Sequence, residues 1–420
     1  NRYREPDIDN IETDLATNYA PIFEAVGMRK KKSTLHQPKN DFDKERYYLK
    51  GEWFEPGQKY FVYQPSGGLS NQRLILEHAL LAAKALGRVL VVPPVAPHTS
   101  MFWNYNKVEW SRTVEAFKIF EKSQMERAVP VLGLKNCIHR RFVEFNEKRK
   151  SQNWLRVLRD RKSPDIHPLT TSELQTLYGN STANVLFFAQ TTMWRGFNFT
   201  ESEMAFARNH VQLNQSFRHV ARLATAEMFP AGVPFSAVHI RFEDRYTQVI
   251  SDTVRGPGVF LSRLNRHNAS SFSKQLYIAT QPSRIYSTYF ETFRKAGFEL
   301  TFSKDVLKSR TVLAFLDQFP KNDILVSILG LLEQLICARA VVFAGTGFST
   351  FSFYIRVKRN NKLLAFDGNL LSTEVDPAVD DISAVVEALA QQDTVDSVRE
   401  IEFLSRPGTC QEKLVSTKTC

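Results

Sequence analysis

The hydrophobic and polar positions of the first half of the chain predict a strand, a loop, a helix and a second strand in succession. A β-branched and aromatic run at Tyr60–Tyr63 predicts a buried strand. Asn71–Leu86 is rich in Leu and Ala and has no internal Gly or Pro, which predicts a helix capped by Ser70 and stopped at Gly87. Leu90–Val92, ended by two prolines, predicts the next strand. This succession predicts one βαβ unit.

The second half of the chain shows the same alternation of apolar strands and helices. An apolar stretch at Ile324–Arg339 predicts a buried helix that contains one carboxylate, Glu333. A further helix is predicted over Thr350–Lys358, after a Gly/Ser/Thr loop. Strands that alternate with helices indicate parallel sheets. The other predicted elements are strands at Ser236–Ile240, Gln275–Ala279, Phe298–Phe302, Ala340–Ala344 and Leu363–Phe366, and a helix at Glu201–Met228.

The length of the chain, 420 residues, indicates more than one domain. A single hydrophobic core rarely grows beyond roughly 250–300 residues. We therefore expect an α/β protein with two Rossmann-like halves that join near residues 215–235. The expected parts are a polar extension over 1–50, a first domain over 51–225, a second domain over 226–395 and a C-terminal tail over 396–420.

Composition and charge narrow the choice of partners. Hydrophobic residues make up 43% and charged residues 24%, which is typical of a globular protein. The sequence has no uncharged apolar stretch of about 18 residues, so we expect no membrane span. The net charge of +11 favours an anionic partner, such as a nucleic acid, an acidic lipid, an acidic protein or a nucleotide sugar, and the alternative is that the charge serves general solubility. We expect no nucleic-acid partner, because no basic helix with interspersed aromatic residues is present.

Cysteines and sequons are compatible with a secretory protein. Four cysteines match no zinc or redox motif and suit two disulfides, with Cys410–Cys420 closing a short loop. Cys337, on the apolar helix, is alternatively a buried free thiol. We expect the lumen of the Golgi or endoplasmic reticulum, with an N-terminal signal or anchor removed. The other cysteine is Cys137, and the sequons are at Asn180, Asn198, Asn214 and Asn268.

The first candidate binding site is the glycine loop between the first strand and its helix. Gly67 and Gly68 let a backbone approach a bulky anion, and the helix that follows offers the positive end of its dipole. Ser70, Asn71 and Gln72 add side-chain donors, and Arg73 adds charge. The spacing is neither G-x-G-x-x-G nor a P-loop, so dinucleotide or ATP binding is not indicated. The alternative is an ordinary turn that binds nothing.

The second candidate site lies at the end of the predicted strand Ser236–Ile240, where open α/β sheets bind ligands. His239 and Arg241 are two residues apart and share a side of the strand. The Arg241 guanidinium can hold a phosphate with its planar fork. The alternative is a salt bridge from Arg241 to Glu243 or Asp244. A metal site is not indicated, because no second histidine accompanies the carboxylates at ligand spacing.

The third candidate site is the loop that leads into the helix at Thr350. Ser349, Thr350 and Phe351 stand where a helix N-terminus would meet an anion. The alternative is that the hydroxyls only cap the helix. Glu333 precedes this loop, and a buried glutamate is rare unless it is paired. Its donor is expected to be either an arginine or the N1/N2 edge of guanine.

These motifs resemble those of the GDP-fucose protein O-fucosyltransferases. The resemblance covers about residues 60–95 and 235–360 and not the middle of the chain. It implies a GT-B glycosyltransferase, with two Rossmann-like domains facing across a cleft, that is inverting, metal-independent and uses GDP-fucose. The residues that carry it are Ser66–Arg73, Val91–Pro94, His239-Ile-Arg241, Leu332–Ala340, Phe343–Thr346 and Phe348–Ser352.

The resemblance also implies roles for single residues. His239 and Glu333 fall where the family contacts guanosine. The position of Glu333 is often Asp in the family. Arg241 falls where the family binds the diphosphate. After the His-x-Arg motif this chain has Phe242-Glu-Asp, where some members have a Gly-Asp turn. Ser349, Thr350 and Phe351 fall on the phosphate-binding turn, and Asn71 falls on the first-domain loop that faces donor and acceptor.

The functional expectation is transfer of fucose from GDP-fucose to a Ser/Thr hydroxyl of a protein. The first alternative is a related enzyme that transfers fucose, or another sugar such as rhamnose from UDP-rhamnose, to a glycan. The second is a nucleotide- or carbohydrate-binding module without turnover. For the base that accepts the acceptor proton, the sequence offers Glu243, Asp244 and Glu77 without separating them.

Overall fold

The computed structural model describes residues 57–97, 113–133, 154–157, 168–188, 196–229, 233–241, 257–266, 268–280, 288–345 and 349–359. The chain divides into two compact units, each with one parallel sheet. The five-stranded unit contains the described residues up to Asn214 and Leu316–Leu331. The four-stranded unit contains Gln215–Phe315 and the described residues from Leu332 onward. The expected α/β class with parallel sheets is confirmed.

The strands of the five-stranded unit are arranged in the order β3-β2-β1-β5-β4. All four neighbouring pairs are parallel, and central β1 pairs Tyr60 with Val89 on one side and with Val185 on the other. Strands buried on both faces read as continuous apolar runs, as in the YFVY sequence of β1. The strands are β1 Tyr60–Tyr63, β2 Val89–Val92, β3 Val131–Gly133, β4 Trp154–Val157 and β5 Val185–Phe188.

The four-stranded unit has the strand order β8-β7-β6-β9, again with parallel pairs throughout. One face of this sheet packs into a hydrophobic core that includes Val238, Ile240, Leu276 and Ile278. His239 and Tyr277 alternate with these residues, so both point to the opposite face. The strands are β6 Ser236–Ile240, β7 Gln275–Thr280, β8 Glu299–Phe302 and β9 Phe343–Gly345.

Helices separate most of the strands along the chain in both units, in keeping with the predicted alternation. No helix in the described ranges is long and apolar enough to cross a membrane. Short 3₁₀ turns lie at Ala116–Lys118 and Thr288–Phe290. The helices are α1 Leu69–Ala85, α2 Lys122–Glu126, α3 Thr171–Tyr178, α4 Glu201–His210, α5 Gln215–Met228, α6 Pro257–Arg266, α7 Ala269–Phe272, α8 Glu291–Lys295, α9 Ser303–Val306, α10 Arg310–Leu316, α11 Ile324–Ala338 and α12 Thr350–Lys358.

Helix α1 begins two residues before the predicted start. Gly68 is its N-cap, with extended backbone, and its carbonyl accepts the N–H groups of Asn71 and Gln72. Ser70 therefore lies inside the first turn and does not cap the helix, so that prediction is wrong. The predicted stop is confirmed, because Gly87 follows the C-cap with a φ of 59°. That left-handed conformation favours glycine.

The single helix predicted over Glu201–Met228 is two helices. Thr200 caps α4 through a capping box with Glu203, and Val211 ends it in a non-helical conformation. The backbone then turns aside, because Gln212 accepts a hydrogen bond from the Glu121 N–H and Asn214 donates one to the Ile119 carbonyl. Tertiary pairing thus interrupts a stretch whose composition alone favours one helix. The predicted strand at Leu363–Phe366 lies outside the described residues.

Candidate functional site

The second and third candidate sites meet at one end of the four-stranded sheet. Strand β6 pairs with β9 so that His239 stands opposite Gly345, the last residue before the third loop. His239 Nδ1 lies 2.8 Å from the Ser352 hydroxyl on α12. The imidazole also stacks on Phe351, with ring centroids 4.3 Å apart and planes at 22°. The two motifs, more than 100 residues apart in sequence, form one cluster.

The electrostatic surroundings keep the His239 imidazole neutral. The side chain is buried, at 7% exposure. Burial and the positive charge of Arg241 lower the pKa of His239 to about 3. A neutral ring presents one N–H donor and one acceptor nitrogen. His239 is therefore suited to hydrogen bonding and stacking, and is a poor general base at neutral pH.

A close backbone approach joins strand β9 to helix α12. A Cβ added to Gly345 would lie 2.5 Å from the Ser352 hydroxyl oxygen, so only glycine fits at this position. Ser349 caps α12, and its hydroxyl accepts the Phe351 N–H at 3.2 Å. The capping role that the sequence left open is therefore confirmed for Ser349. Thr350 is the first helical residue and is half-buried. Residues 346–348 lie outside the described ranges.

Glu333 is a buried carboxylate on α11, with 8% exposure. Its Oε1 accepts a hydrogen bond of 2.7 Å from the hydroxyl of Tyr277 on β7. Burial raises the pKa of Glu333 to about 7, although the hydrogen bond from Tyr277 opposes this effect. The expectation of a donor is thus confirmed. The prediction that this donor is an arginine is wrong, since the donor among the described residues is Tyr277, on strand β7 of the four-stranded sheet.

Arg241 follows β6 directly and is half-buried. Its charge acts on His239, which places it beside the cluster. Glu243 and Asp244 lie outside the described residues, so the predicted alternatives of an acceptor base and a salt bridge to Arg241 stay predictions.

The first glycine loop makes most of its polar contacts within the chain. Gly67 has a φ of 71°, and a Cβ there would lie 2.6 Å from Asn71 Nδ2. Gln72 Nε2 donates to the carbonyls of Gly67 (2.9 Å) and Ala96 (2.7 Å), and Gln72 Oε1 accepts the Ala96 N–H at 3.1 Å. Gln72 therefore fastens the loop to the segment after β2. The prediction that Gln72 supplies a ligand donor is wrong.

The charged residues of helix α1 are structural as well. Arg73 Nε lies 3.2 Å from Glu77 Oε1, and its Nη2 donates to the Val211 carbonyl at 3.1 Å. Both side chains are buried, Glu77 completely. Arg73 is therefore not available to a ligand, and Glu77 is not an accessible base. Asn71 and Ser70 are half-buried at the start of α1, and the binding roles predicted for them and for Gly67 and Gly68 stay predictions.

Sequence reasoning missed three contacts of this site. Tyr277 stands in an apolar strand and gives no sign of a polar partner 56 residues away. Ser352 is 113 residues from His239, and its motif suggests a cap or a phosphate contact instead. The Gln72–Ala96 contact depends on how the end of β2 returns past α1. Only the glycine at position 345, which leaves room for Ser352, is a signal readable in the sequence.

Metal ligands and thiols complete the description. The described ranges hold no group of three or more His, Cys, Asp or Glu residues placed to bind a metal ion. Cys337 is a buried free thiol, as one of the two alternatives for it predicted. Cys137, Cys410 and Cys420 lie outside the described residues, and their disulfides stay a prediction.

Comparison with known proteins gives one family match and a set of similar folds. Residues 60–251 match the family GDP-fucose protein O-fucosyltransferase. The fold resembles POFUT1 in complex with GDP, with 14% identity and a TM-score of 0.47 over 73% of this chain and 95% of that one. It also resembles fucosyltransferase NodZ from Bradyrhizobium, with 16% identity and a TM-score of 0.42 over 71% and 93% of the two chains. No curated protein matches the chain in sequence.

The matched range contains the glycine loop, the βαβ unit and the His-x-Arg motif. It therefore includes the first two of the three candidate binding sites. Over residues 60–251 the chain matches the O-fucosyltransferase family, which confirms the expected resemblance and the expected class, a glycosyltransferase.

Proposed function

We propose that the protein transfers fucose from GDP-fucose to a Ser or Thr hydroxyl of a protein, with inversion and without a metal ion. The observation that carries this proposal is the buried carboxylate of Glu333, which is hydrogen-bonded to Tyr277 on the sheet face that also carries His239. Tyr277, which donates to Glu333, and His239 project from neighbouring strands to the same face, because Tyr277 pairs with Ala237 and His239 pairs with Ala279. Glu333 and the His239 cluster therefore both contact the same face of the sheet.

Guanine suits this surface. Its N1–H and N2 amino group are adjacent donors, and each carboxylate oxygen has two lone-pair sites, so Oε2 together with the second site of Oε1 can accept both of them. Glu333 Oε1 is engaged by Tyr277, and Oε2 accepts no hydrogen bond from the described residues. The neutral imidazole of His239 is suited to a hydrogen bond with the nucleoside. A uracil base offers a single N–H on this edge, so the arrangement favours a guanine nucleotide over a uracil nucleotide.

The diphosphate is assigned to Arg241 and the start of α12. The guanidinium is a fixed cation next to His239, and the helix N-terminus adds the positive end of its dipole. As fucose leaves, negative charge grows on the β-phosphate. Fixed positive charge stabilises that transition state more than the ground state. This arrangement supports leaving-group departure without a metal.

The residues that we propose for the acceptor substrate are those predicted from the sequence. Asn71 is the candidate on the glycine loop, where the absence of a side chain on Gly67 leaves room for its amide. Glu243 and Asp244 are the proposed alternatives for proton removal. We also propose a secretory location, which the exposed sequon residues Asn180, Asn198 and Asn268 support. The two-domain GT-B arrangement stays a prediction.

The test is release of GDP from a panel of nucleotide sugars, with and without peptide acceptors and EDTA. We expect turnover with GDP-fucose that EDTA does not abolish, and none with UDP-rhamnose. Glu333→Gln should weaken use of the donor, while the exposed Glu291→Gln, on α8, serves as the matched control. Turnover with a UDP-sugar, or equal activity of Glu333→Gln and wild type, would contradict the proposal. Binding without turnover under all conditions would favour the non-catalytic alternative.

A further inference from the structure

We propose that Tyr277 is a positioning residue for guanine recognition, whose hydroxyl holds Glu333 Oε1 and so aims Oε2 at the nucleotide. This inference rests on the proposed function and extends it to a residue that would not touch the substrate. Tyr277 acts through the carboxylate alone.

The geometry of Tyr277 leaves it one role beyond packing. Its side chain is completely buried, in the middle of β7, on the face that carries His239 on the neighbouring strand. The hydroxyl donates to Glu333 Oε1 at 2.7 Å. A buried tyrosine hydroxyl needs a partner, and a charge-assisted bond to a carboxylate is stronger than a neutral one. The bond fixes the rotation of the carboxylate on a helix that contributes no other donor to it.

Among the described residues, three further ionisable groups interact with this pair or with each other: Cys337, Arg359 and Asp305. Cys337, one turn after Glu333 on α11, has a pKa raised by burial and by Glu333, so it remains a neutral thiol. Arg359, the C-cap of α12, donates to the carbonyls of Ala340 and Val341, which follow α11, and stays charged at neutral pH. Asp305 of α9 acts on Tyr277 by its negative charge and itself accepts from Lys308 at 2.6 Å.

Glu333 is therefore the group in this cluster that titrates near neutral pH. Its pKa of about 7 is the balance of burial, which favours the acid, and the Tyr277 hydrogen bond, which favours the carboxylate. Only the carboxylate accepts both guanine donors. Tyr277 thus fixes both the direction of Oε2 and the pH range in which the site is ready to bind.

The experiment is a titration of GDP into wild type and Tyr277→Phe between pH 5.5 and 8.5. Loss of a hydrogen bond to a charged group should raise the pKa of Glu333, and the pH midpoint of binding, by about one unit or more. GDP should then bind on the order of tenfold more weakly than to wild type at pH 7, and this difference should shrink as the pH rises to 8.5, where only the loss of carboxylate orientation remains. Tyr289→Phe, in the same unit but packed on Phe290 and Phe293, is the matched control.

A purely structural role predicts a different result. If Tyr277→Phe weakens GDP binding by the same factor at every pH, or leaves the midpoint unchanged, the inference is overturned. Failure of the proposed function looks different, because wild type itself would then bind no GDP at any pH. In that case the pKa of Glu333 can be measured without ligand, from unfolding free energies at several pH values. For wild type and for Tyr277→Phe, the unfolding free energy of the same protein with Glu333→Gln added is subtracted at each pH. The pH range over which this difference changes should be higher in Tyr277→Phe than in wild type, and an unchanged range overturns the inference.

Discussion

The glycine loop of the five-stranded unit and the His239–Glu333 face of the four-stranded unit use their polar groups in different ways. At the glycine loop, the amide of Gln72 meets backbone groups of Gly67 and Ala96, and Arg73 and Glu77 meet each other. At the His239–Glu333 face, both titratable groups are buried with displaced pKa values, and Oε2 of Glu333 accepts no hydrogen bond from the described residues. Both regions have the same order of strand, loop and helix.

This contrast indicates which region carries the recognition chemistry. Polar groups that satisfy one another hold a loop in shape but have little left for a ligand. Buried ionisable groups with displaced pKa values are costly to maintain, and they concentrate at functional sites. We infer that the glycine loop is mainly a scaffold that presents Asn71, and that nucleotide recognition belongs to the four-stranded unit.

The largest expected effect comes from Arg241→Ala. Removal of a single charge-stabilising donor typically lowers kcat by on the order of 100-fold or more. Arg241→Lys should recover little, because an ammonium group does not reproduce the bidentate fork. Turnover of GDP-fucose and the Tm are measured on the same proteins, and the Tm should stay close to that of wild type. A lower Tm with activity retained would instead identify a salt bridge to Glu243 or Asp244.

Glu333→Gln separates recognition from stability. Because the pKa of the folded state is raised to about 7 from 4.5, the folded protein binds this proton more tightly than the unfolded chain. Wild type should therefore lose up to about 3 kcal/mol of unfolding free energy as the pH rises from about 4.5 to 7, and the variant should lack this loss. Urea unfolding at several pH values measures it. Parallel curves for the two proteins would show that Glu333 titrates normally.

Gln72→Leu tests the scaffold role of the glycine loop. The change removes three hydrogen bonds and leaves buried backbone groups of Gly67 and Ala96 without them. We expect a loss of about 2 kcal/mol in unfolding free energy, with GDP affinity within about twofold of wild type. Urea unfolding and GDP titration give the two values. A GDP affinity reduced as strongly as in Glu333→Gln would break the comparison between the two regions.

The smallest effect concerns the thiols. Cys337 is buried, and burial raises the pKa of its thiol, so the native protein should react slowly with a thiol reagent at this position. Denaturation without reductant should expose Cys337 together with fewer than three further thiols, if the secretory proposal holds. Four reactive thiols after denaturation would contradict both the disulfides and the proposed compartment.

The sequence predicted the buried strands best. Tyr60–Tyr63 and Ser236–Ile240 have the predicted bounds, because an apolar run flanked by turn residues leaves little choice of ends. Strand β9 is displaced from the predicted Ala340–Ala344 to Phe343–Gly345, since pairing with β6, and not composition, decides where it begins. The predicted helix over Glu201–Met228 is likewise interrupted at Val211–Asn214 by tertiary hydrogen bonds, which composition does not reveal.

For the site, local motifs were readable and long-range partners were not. His239, Arg241 and Glu333 were singled out because charge or imidazole in an apolar context is unusual. Tyr277 and Ser352 look like ordinary strand and helix residues, and only the parallel register of β6, β7 and β9 brings them to the motif residues. The misjudged Gln72 and Arg73 show the converse, because a donor in a motif can be used up inside the fold.

The most direct test of the central claim is the preference of the protein for GDP over UDP, measured by calorimetric titration of wild type and Glu333→Gln at pH 7.5. The account predicts that wild type binds GDP at least about tenfold more tightly than UDP, since loss of one well-placed hydrogen-bonded group costs about that factor. The preference should largely disappear in Glu333→Gln. Equal binding of GDP and UDP by wild type, or an unchanged preference in the variant, would contradict the assignment of guanine recognition to the four-stranded unit.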